Sequence, residues 1–262
     1  MTKLIDVLDY GERGAVHVVA DSAALAVASA EVLIAAVASA IAARGRAVIA
    51  LSGGTTPKRM GELLTRDEYR NRIDWARLHV FWGDERWVPL DDPDCNAGVA
   101  IRTFLDGAGM PASQLHPWRT DLPEPEGAAR DYAAQLRAAF GPEDPPRFDL
   151  ILLGLGDDGH TASLYPTTDA INEKEDHAVA HRVEKLDAVR LTLTPQVLNA
   201  GREVVVLVAG SGKAHMLHRV LDGDINVDLY PAQVVRPTNG TLRWLVDVAA
   251  AELLERRVAA DD

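Results

Sequence analysis

Two acids, a histidine and three glycines fall within residues 154 to 160, GLGDDGH, at the end of a short apolar run. Asp158 and His160 stand two positions apart, where a carboxylate can fix the imidazole tautomer and raise its basicity, so the pair reads as acid–base machinery. The plainer alternative is a strand-to-helix turn with a capping aspartate and a solvated histidine. Gly154, Gly156 and Gly159 also spell G-x-G-x-x-G, the dinucleotide-binding fingerprint. Charge argues against that reading. A pyrophosphate would have to approach Asp157 and Asp158 with no cation nearby in sequence, and Pro166 ends any helix within two turns.

Three other stretches carry groups suited to an anionic, hydroxylated ligand. In Ser52-Gly53-Gly54-Thr55-Thr56-Pro57 the glycines let backbone N–H groups approach an oxyanion, the hydroxyls add donors, and the proline suits the first turn of a helix. The Walker A spacing is absent, and a plain capped turn with Thr56 as N-cap is the alternative. Asp84, Glu85 and Arg86 could orient hydroxyls and hold an anion, or could satisfy one another as a surface ion-pair cluster. Lys213, in GSGK, sits at the start of a helix, where a cation opposes the dipole and suggests a compensating anion; a solvated lysine is the simpler reading.

The elements that must hold these groups follow from apolar patterning. Residues 148 to 153 read as a central parallel strand, with strands also at 15 to 20, 46 to 51, 78 to 82, 190 to 194, 203 to 209 and 242 to 248, and a short one near 115 to 118. In RLTLT, Arg190, Thr192 and Thr194 share one face. Helices are expected from an Asp21 or Ser22 cap to about 43, after Pro57, from Cys95-Asn96, over 127 to 140, from Lys213 through 221, and from the last strand to about 257. The stretch 167 to 177 reads as an exposed polar loop. Strands alternating with helices, with no linker or internal repeat, imply an α/β fold: one three-layer αβα domain over 1 to 262 with a mostly parallel sheet.

Composition narrows the partners. With 262 residues, a formal net charge of −12 and 25% charged residues, the chain lacks the basic field that nucleic acid or an anionic membrane surface rewards. The first helix is nearly apolar all round, but its alanine content, Ser29, Glu31 and Ser39 favour burial in a layered fold over a membrane span. Cys95 is the only cysteine, and the N-terminus carries Asp6, Asp9 and Glu12 rather than a basic start and an apolar run, so a reducing, cytoplasmic setting is expected. His177 and His181 lack a third ligand and read as scattered histidines rather than a metal site.

Taken together, LSGGTTP at 51 to 57, WGDERWVP at 82 to 89 with Asn96 beyond it, GLGDDGHTASLYP at 154 to 166, RLTLT at 190 to 194, GSGKA at 210 to 214 and PAQVV at 231 to 235 resemble the 6-phosphogluconolactonase family, block by block and in order. The resemblance implies a Rossmann-like domain, no cofactor or metal, and hydrolysis of 6-phospho-D-glucono-1,5-lactone to 6-phosphogluconate in the oxidative pentose phosphate pathway. It makes His160 the general base, Asp158 its orienting partner, and Arg86 or nearby N–H groups the oxyanion stabiliser. The Ser52 to Thr56 loop, Arg190 and Lys213 would grip the phosphate, while Asp84, Glu85 and Asn96 would contact ring hydroxyls. The partner is then a phosphorylated sugar lactone, and the protein a monomer or small homo-oligomer. Glucosamine-6-phosphate deaminases resemble the chain in several of these blocks, but have a glutamate before the proline of the DGH block where this sequence has Tyr165. A sugar-phosphate sensor would need a DNA-binding segment, and none is evident. Cys95 stands where the lactonase pattern usually has serine.

Overall fold

The computed structural model describes residues 3–255. In chain order the elements are β1 (Asp6–Asp9), β2 (Ala15–Val19), α1 (Ser22–Arg44), β3 (Ala47–Leu51), α2 (Thr55–Leu64), α3 (Asp67–Arg70), β4 (Leu78–Trp82), β5 (Asp84–Arg86), α4 (Asn96–Ala100) and α5 (Pro125–Phe140). They continue with β6 (Leu150–Gly154), β7 (Ala178–Val183), β8 (Ala188–Leu193), α6 (Pro195–Ala200), β9 (Glu203–Val208), α7 (Ala214–Leu221) and β10 (Thr241–Asp247).

The main sheet runs β1-β2-β10-β9-β6-β3-β4, parallel throughout except for the β1–β2 hairpin at one edge. Its central strands are apolar on both faces, as a sheet covered by helices on both sides requires; every residue of β3, Ala47–Leu51, is buried. From β3 the chain moves out to β4 and returns to β6 on the other side of β3. That reversal is a topological switch point, and the loops after β3 and β6 leave the sheet's carboxyl edge on either side of it. Asp149 locks the two strands at their far end: Oδ2 accepts Val48 N–H at 2.8 Å and Oδ1 accepts Arg44 Nη2 at 2.7 Å.

Helix α1 is long and apolar enough to span a membrane by length and composition. Here it packs against the sheet and α2, with Leu25, Leu33 and Val37 almost fully buried. Asp21 caps it, Oδ1 accepting from Ala23 N and Ala24 N, an arrangement worth about 1 kcal/mol. Gly45, at φ +79°, ends it in the left-handed conformation.

A second sheet, β5-β8-β7, is antiparallel. Residues 84 to 86 are thus a strand and not merely the end of β4, and they pair with β8 in the register Asp84↔Thr192, Arg86↔Arg190. Several expectations change at element ends. Helix α2 starts at Thr55 with Gly54 as its cap rather than Thr56. Residues 115 to 118 contribute only a bridge between Leu115 and Val80. Lys213 ends a 3-10 turn (Ser211–Lys213) just before α7. Within 167 to 177, a 3-10 turn (Asp169–Asn172) buries Ala170 and Ile171. After β10 the described residues form turns, and the end of the expected helix near Arg257 lies outside them.

Candidate active site

The loop after β6 folds back on itself. Gly156 N–H donates to His160 O at 2.8 Å, Gly159 N–H donates to Gly156 O at 3.1 Å with φ +83° at Gly159, and Thr161 Oγ1 donates to Gly154 O at 2.8 Å. A Cβ at Gly156 would lie 2.0 Å from His160 Nδ1, so only glycine lets the ring pack there. Ala162, at φ +47°, is held in the left-handed region on the cavity wall, the kind of strain that collects at functional loops.

This geometry brings His160 Nδ1 to 2.6 Å from Asp158 Oδ1. The pairing assigns the Nδ1–H tautomer and leaves Nε2 as the lone-pair nitrogen. Lys185 Nζ lies 2.9 Å from the other oxygen, Oδ2. Burial pushes the Asp158 carboxyl up, but the hydrogen bonds from Lys185 and His160 outweigh it and hold it down at about 2. The His160 ring stacks on Tyr165, with centroids 4.1 Å apart and planes inclined by 25°. Burial pushes the Tyr165 phenol up, against the opposing charge and hydrogen bond of Arg190.

Across the switch point, the turn after β3 approaches β5 and α4 closely. A Cβ at Gly53 would lie 1.8 Å from Asn96 Oδ1, and Asn96 Nδ2 donates to Asp84 O at 3.0 Å. Gly54, at φ +104°, caps α2. Asp84 is 8% exposed and accepts from Ser163 Oγ at 2.9 Å. Arg86 is anchored by Nη1 donating to Asp94 O at 2.6 Å.

A cavity of about 310 Å³ joins the two loops. Ser52, Gly53, Gly54, Asp84, Arg86 and Asn96 line one side; His160 and Lys213 line the other. Thr55 lies on an adjoining cavity of about 360 Å³ that shares Ser52–Gly54, Arg86 and Asn96 and runs beneath α2. Thr56, Glu85 and Arg190 line neither. Arg190 stands opposite Arg86 in register, and its guanidinium serves Tyr165 behind the histidine. Lys213 pairs with Asp157, the nearby anion that its position at a helix start calls for.

Glu85 is turned away from the cavity by the alternation of β5, which puts Asp84 and Arg86 on one face and Glu85 on the other. It is fully buried. Its oxygens accept the N–H groups of Arg86, Asn96 and Ala97, each at 2.8 Å, and the Cys95 thiol at 3.3 Å. Burial raises its carboxyl in spite of these donors, and burial followed by the Glu85 charge pushes the Cys95 thiol up to about 12. Cys95 caps α4 through Sγ, which accepts Gly98 N–H at 3.4 Å. Glu85 and Cys95 therefore hold the loop that carries Asn96. Of the histidines set aside in sequence, His177 Nε2 lies 2.8 Å from Asp144 and His181 Nε2 donates to Ser163 O at 2.8 Å.

Lys185 and Ser163 went unnoticed in sequence. Ser163 is three residues beyond His160 inside an apolar-looking segment, and Lys185 lies 27 positions from its partner Asp158 in an exposed EKL turn, so no local pattern marks either.

An imidazole backed by a carboxylate, sharing one cavity with a glycine turn at a helix start and a lysine, all at the switch point of a parallel sheet, defines an α/β enzyme of acid–base type acting on a small anionic molecule. The family model described as glucosamine-6-phosphate isomerases/6-phosphogluconolactonase matches residues 20–244, and the chain belongs to that family. It is 43% identical over 221 residues to a 6-phosphogluconolactonase of Synechocystis sp., covering 82% of this chain and 88% of the relative. The crystal structure of the devB protein superposes with a TM-score of 0.83 at 33% identity, covering 92% and 99% of the two chains. The 6-phosphogluconolactonase of Trypanosoma brucei superposes with a TM-score of 0.80 at 28% identity, covering 92% and 98%.

Proposed function

We propose that the chain hydrolyses 6-phospho-D-glucono-1,5-lactone to 6-phospho-D-gluconate, the lactone-opening step of the oxidative pentose phosphate pathway, as a cytoplasmic enzyme. The observation that carries this reading is the placement of the Asp158-backed imidazole and the Ser52–Gly54 turn on one cavity of about 310 Å³, room for one phosphorylated sugar. His160 Nε2 takes a proton from water as its oxygen attacks the lactone carbonyl. The carbonyl π-pair moves onto oxygen, which Arg86 on the cavity wall stabilises. The tetrahedral species collapses by breaking the bond to the ring oxygen, which receives the proton from the imidazolium. Asp158 holds Nδ1–H throughout and stabilises the transient imidazolium.

The phosphate is placed against the Ser52–Gly54 turn and the start of α2, with Lys213 exchanging the exposed Asp157 for the incoming anion. Asp84 and Asn96 face the sugar hydroxyls. The enzyme is a monomer or a small homo-oligomer. Tyr165 supports the lactonase reading over deamination: the residue before Pro166 is a phenol packed on the imidazole, whereas aldose ring opening needs a further acid–base group at that position. The test is to supply fresh 6-phosphogluconolactone and glucosamine 6-phosphate in parallel. Lactone opening well above the spontaneous rate with no ammonia supports the proposal, and ammonia release or background-rate opening refutes it.

A further inference from the structure

The Asp158 carboxylate is engaged at both oxygens, and only one of its partners belongs to the acid–base pair. Oδ1 faces His160 Nδ1 at 2.6 Å, while Oδ2 accepts from Lys185 Nζ at 2.9 Å. Lys185 sits in the 3-10 turn Glu184–Leu186 that joins β7 to β8, so the small antiparallel sheet reaches over the dyad and grips it from outside. Between them opens a cavity of about 580 Å³ on the far side of the dyad, lined by Asp158, Tyr165 and Lys185. A carboxylate rotates readily about its last torsion, whose wells are broad and two-fold. Its remaining contact, His160 N–H at 3.3 Å, is long. Without an outer ligand little selects the orientation that presents Oδ1 squarely to Nδ1.

We propose that Lys185 is a positioning residue for the lactone hydrolysis: by holding Oδ2 it fixes the Asp158 rotamer, keeps the proton of His160 on Nδ1 and leaves Nε2 aimed at the cavity. The proposal rests on the functional reading above. Asp157 beside this pair, Asp84 on β5, Arg190 on β8 and Tyr165 beneath the imidazole also bear on it, as do Asp169, His181, Arg182 and Glu184 around the outer cavity, and none of them bonds Oδ2.

The Lys185 side chain is 69% exposed, so K185M is expected to fold, with a melting temperature only a few degrees below wild type from the lost ion pair. The expected kinetics are a kcat loss of about tenfold with KM within about twofold, part of the 10²- to 10⁴-fold contribution of a positioned base. K185R, which restores a cation on Oδ2, keeps kcat within about threefold of wild type. Independently of turnover, ¹⁵N NMR of the His160 ring shows one Nδ1–H tautomer in wild type and K185R and a mixture in K185M. An unchanged tautomer and kcat in K185M overturn the assignment. So does a rise in KM alone, which would put Lys185 on the substrate, or an equal kcat loss in K185R. Wild type that opens the lactone only at the background rate sinks the functional reading instead, and the NMR experiment still decides the role of Lys185.

Discussion

Gly156→Ala isolates the packing of the histidine from every other requirement of the loop. The Gly156 backbone is not in the left-handed region, so alanine adds no φ penalty there, and its cost comes from contact alone. The new methyl would lie 2.0 Å from His160 Nδ1, 2.2 Å from Cε1 and 2.7 Å from Cγ, where ordinary contact begins near 3.4 Å. The ring must therefore retreat by about 1.4 Å, the difference between 3.4 and 2.0 Å. Tyr165 stacks on the ring at 4.1 Å and limits that retreat, and a shift of that size is enough to break the 2.6 Å bond to Asp158. Misplacing a catalytic group by 1 Å costs about 10²-fold in rate, so kcat should fall by about 10²-fold or more. Overpacking one methyl costs about 1–3 kcal/mol of stability, which leaves a folded protein to assay. The assay is lactone opening followed by proton release, corrected for spontaneous hydrolysis, beside a thermal melt. A folded Gly156→Ala protein with kcat within twofold of wild type would show that the imidazole does not act from the observed position.

Three further outcomes follow from the same geometry. Glu85→Ala should destabilise the fold by about 3–5 kcal/mol, because three buried N–H groups lose their acceptor, with denaturant melts as the readout. A raised KM with an unchanged melt would instead return Glu85 to the sugar hydroxyls. Lys213→Met should raise KM for the lactone about tenfold or more with kcat nearly unchanged, since a half-buried cation on the cavity shared with the 52 to 54 turn binds ground and transition states alike; a fall in kcat alone would refute its role as a phosphate ligand. The depressed Asp158 carboxyl contributes stability that is present above its unfolded value of 3.8 and lost as pH falls through about 2. The drop corresponds to at most about 2.5 kcal/mol, reduced to about 1 kcal/mol by solvent screening of a carboxylate in partial contact with water. Acid melts of wild type and Asp158→Asn should therefore converge between pH 4 and about 2, and curves that stay parallel would contradict this linkage.

The parallel core was legible because its strands are buried on both faces and so read as unbroken apolar runs, as in Ala47–Leu51 and, after Glu203, in residues 204 to 208 of β9. Their carboxyl ends carry Ser52, His160 and Lys213, which the fold brings to one cavity, with Asp158 behind the imidazole. The antiparallel sheet was hidden because β5 is three polar residues long and exists only through pairing with β8, 106 residues further on at the Glu85↔Leu191 pair. Without that strand the alternation separating Asp84 and Arg86 from Glu85 could not be applied, and three adjacent charges looked equivalent. Strand β1, four residues at the sheet edge, gave too little periodicity to register. Lys185 was hidden for another reason. A surface lysine acquires a role only from the element that folds over Asp158, and nothing near it in sequence records that approach.

The central claim is that His160 removes a proton from water inside the cavity it shares with the 52 to 54 turn. The most direct measurement is steady-state hydrolysis of fresh 6-phosphogluconolactone by His160→Ala, with binding of the product 6-phosphogluconate measured by calorimetry on the same preparation. The account predicts a kcat lower by about 10²- to 10⁴-fold with product affinity within a few-fold of wild type. A His160→Ala protein that turns over at the wild-type rate would contradict it.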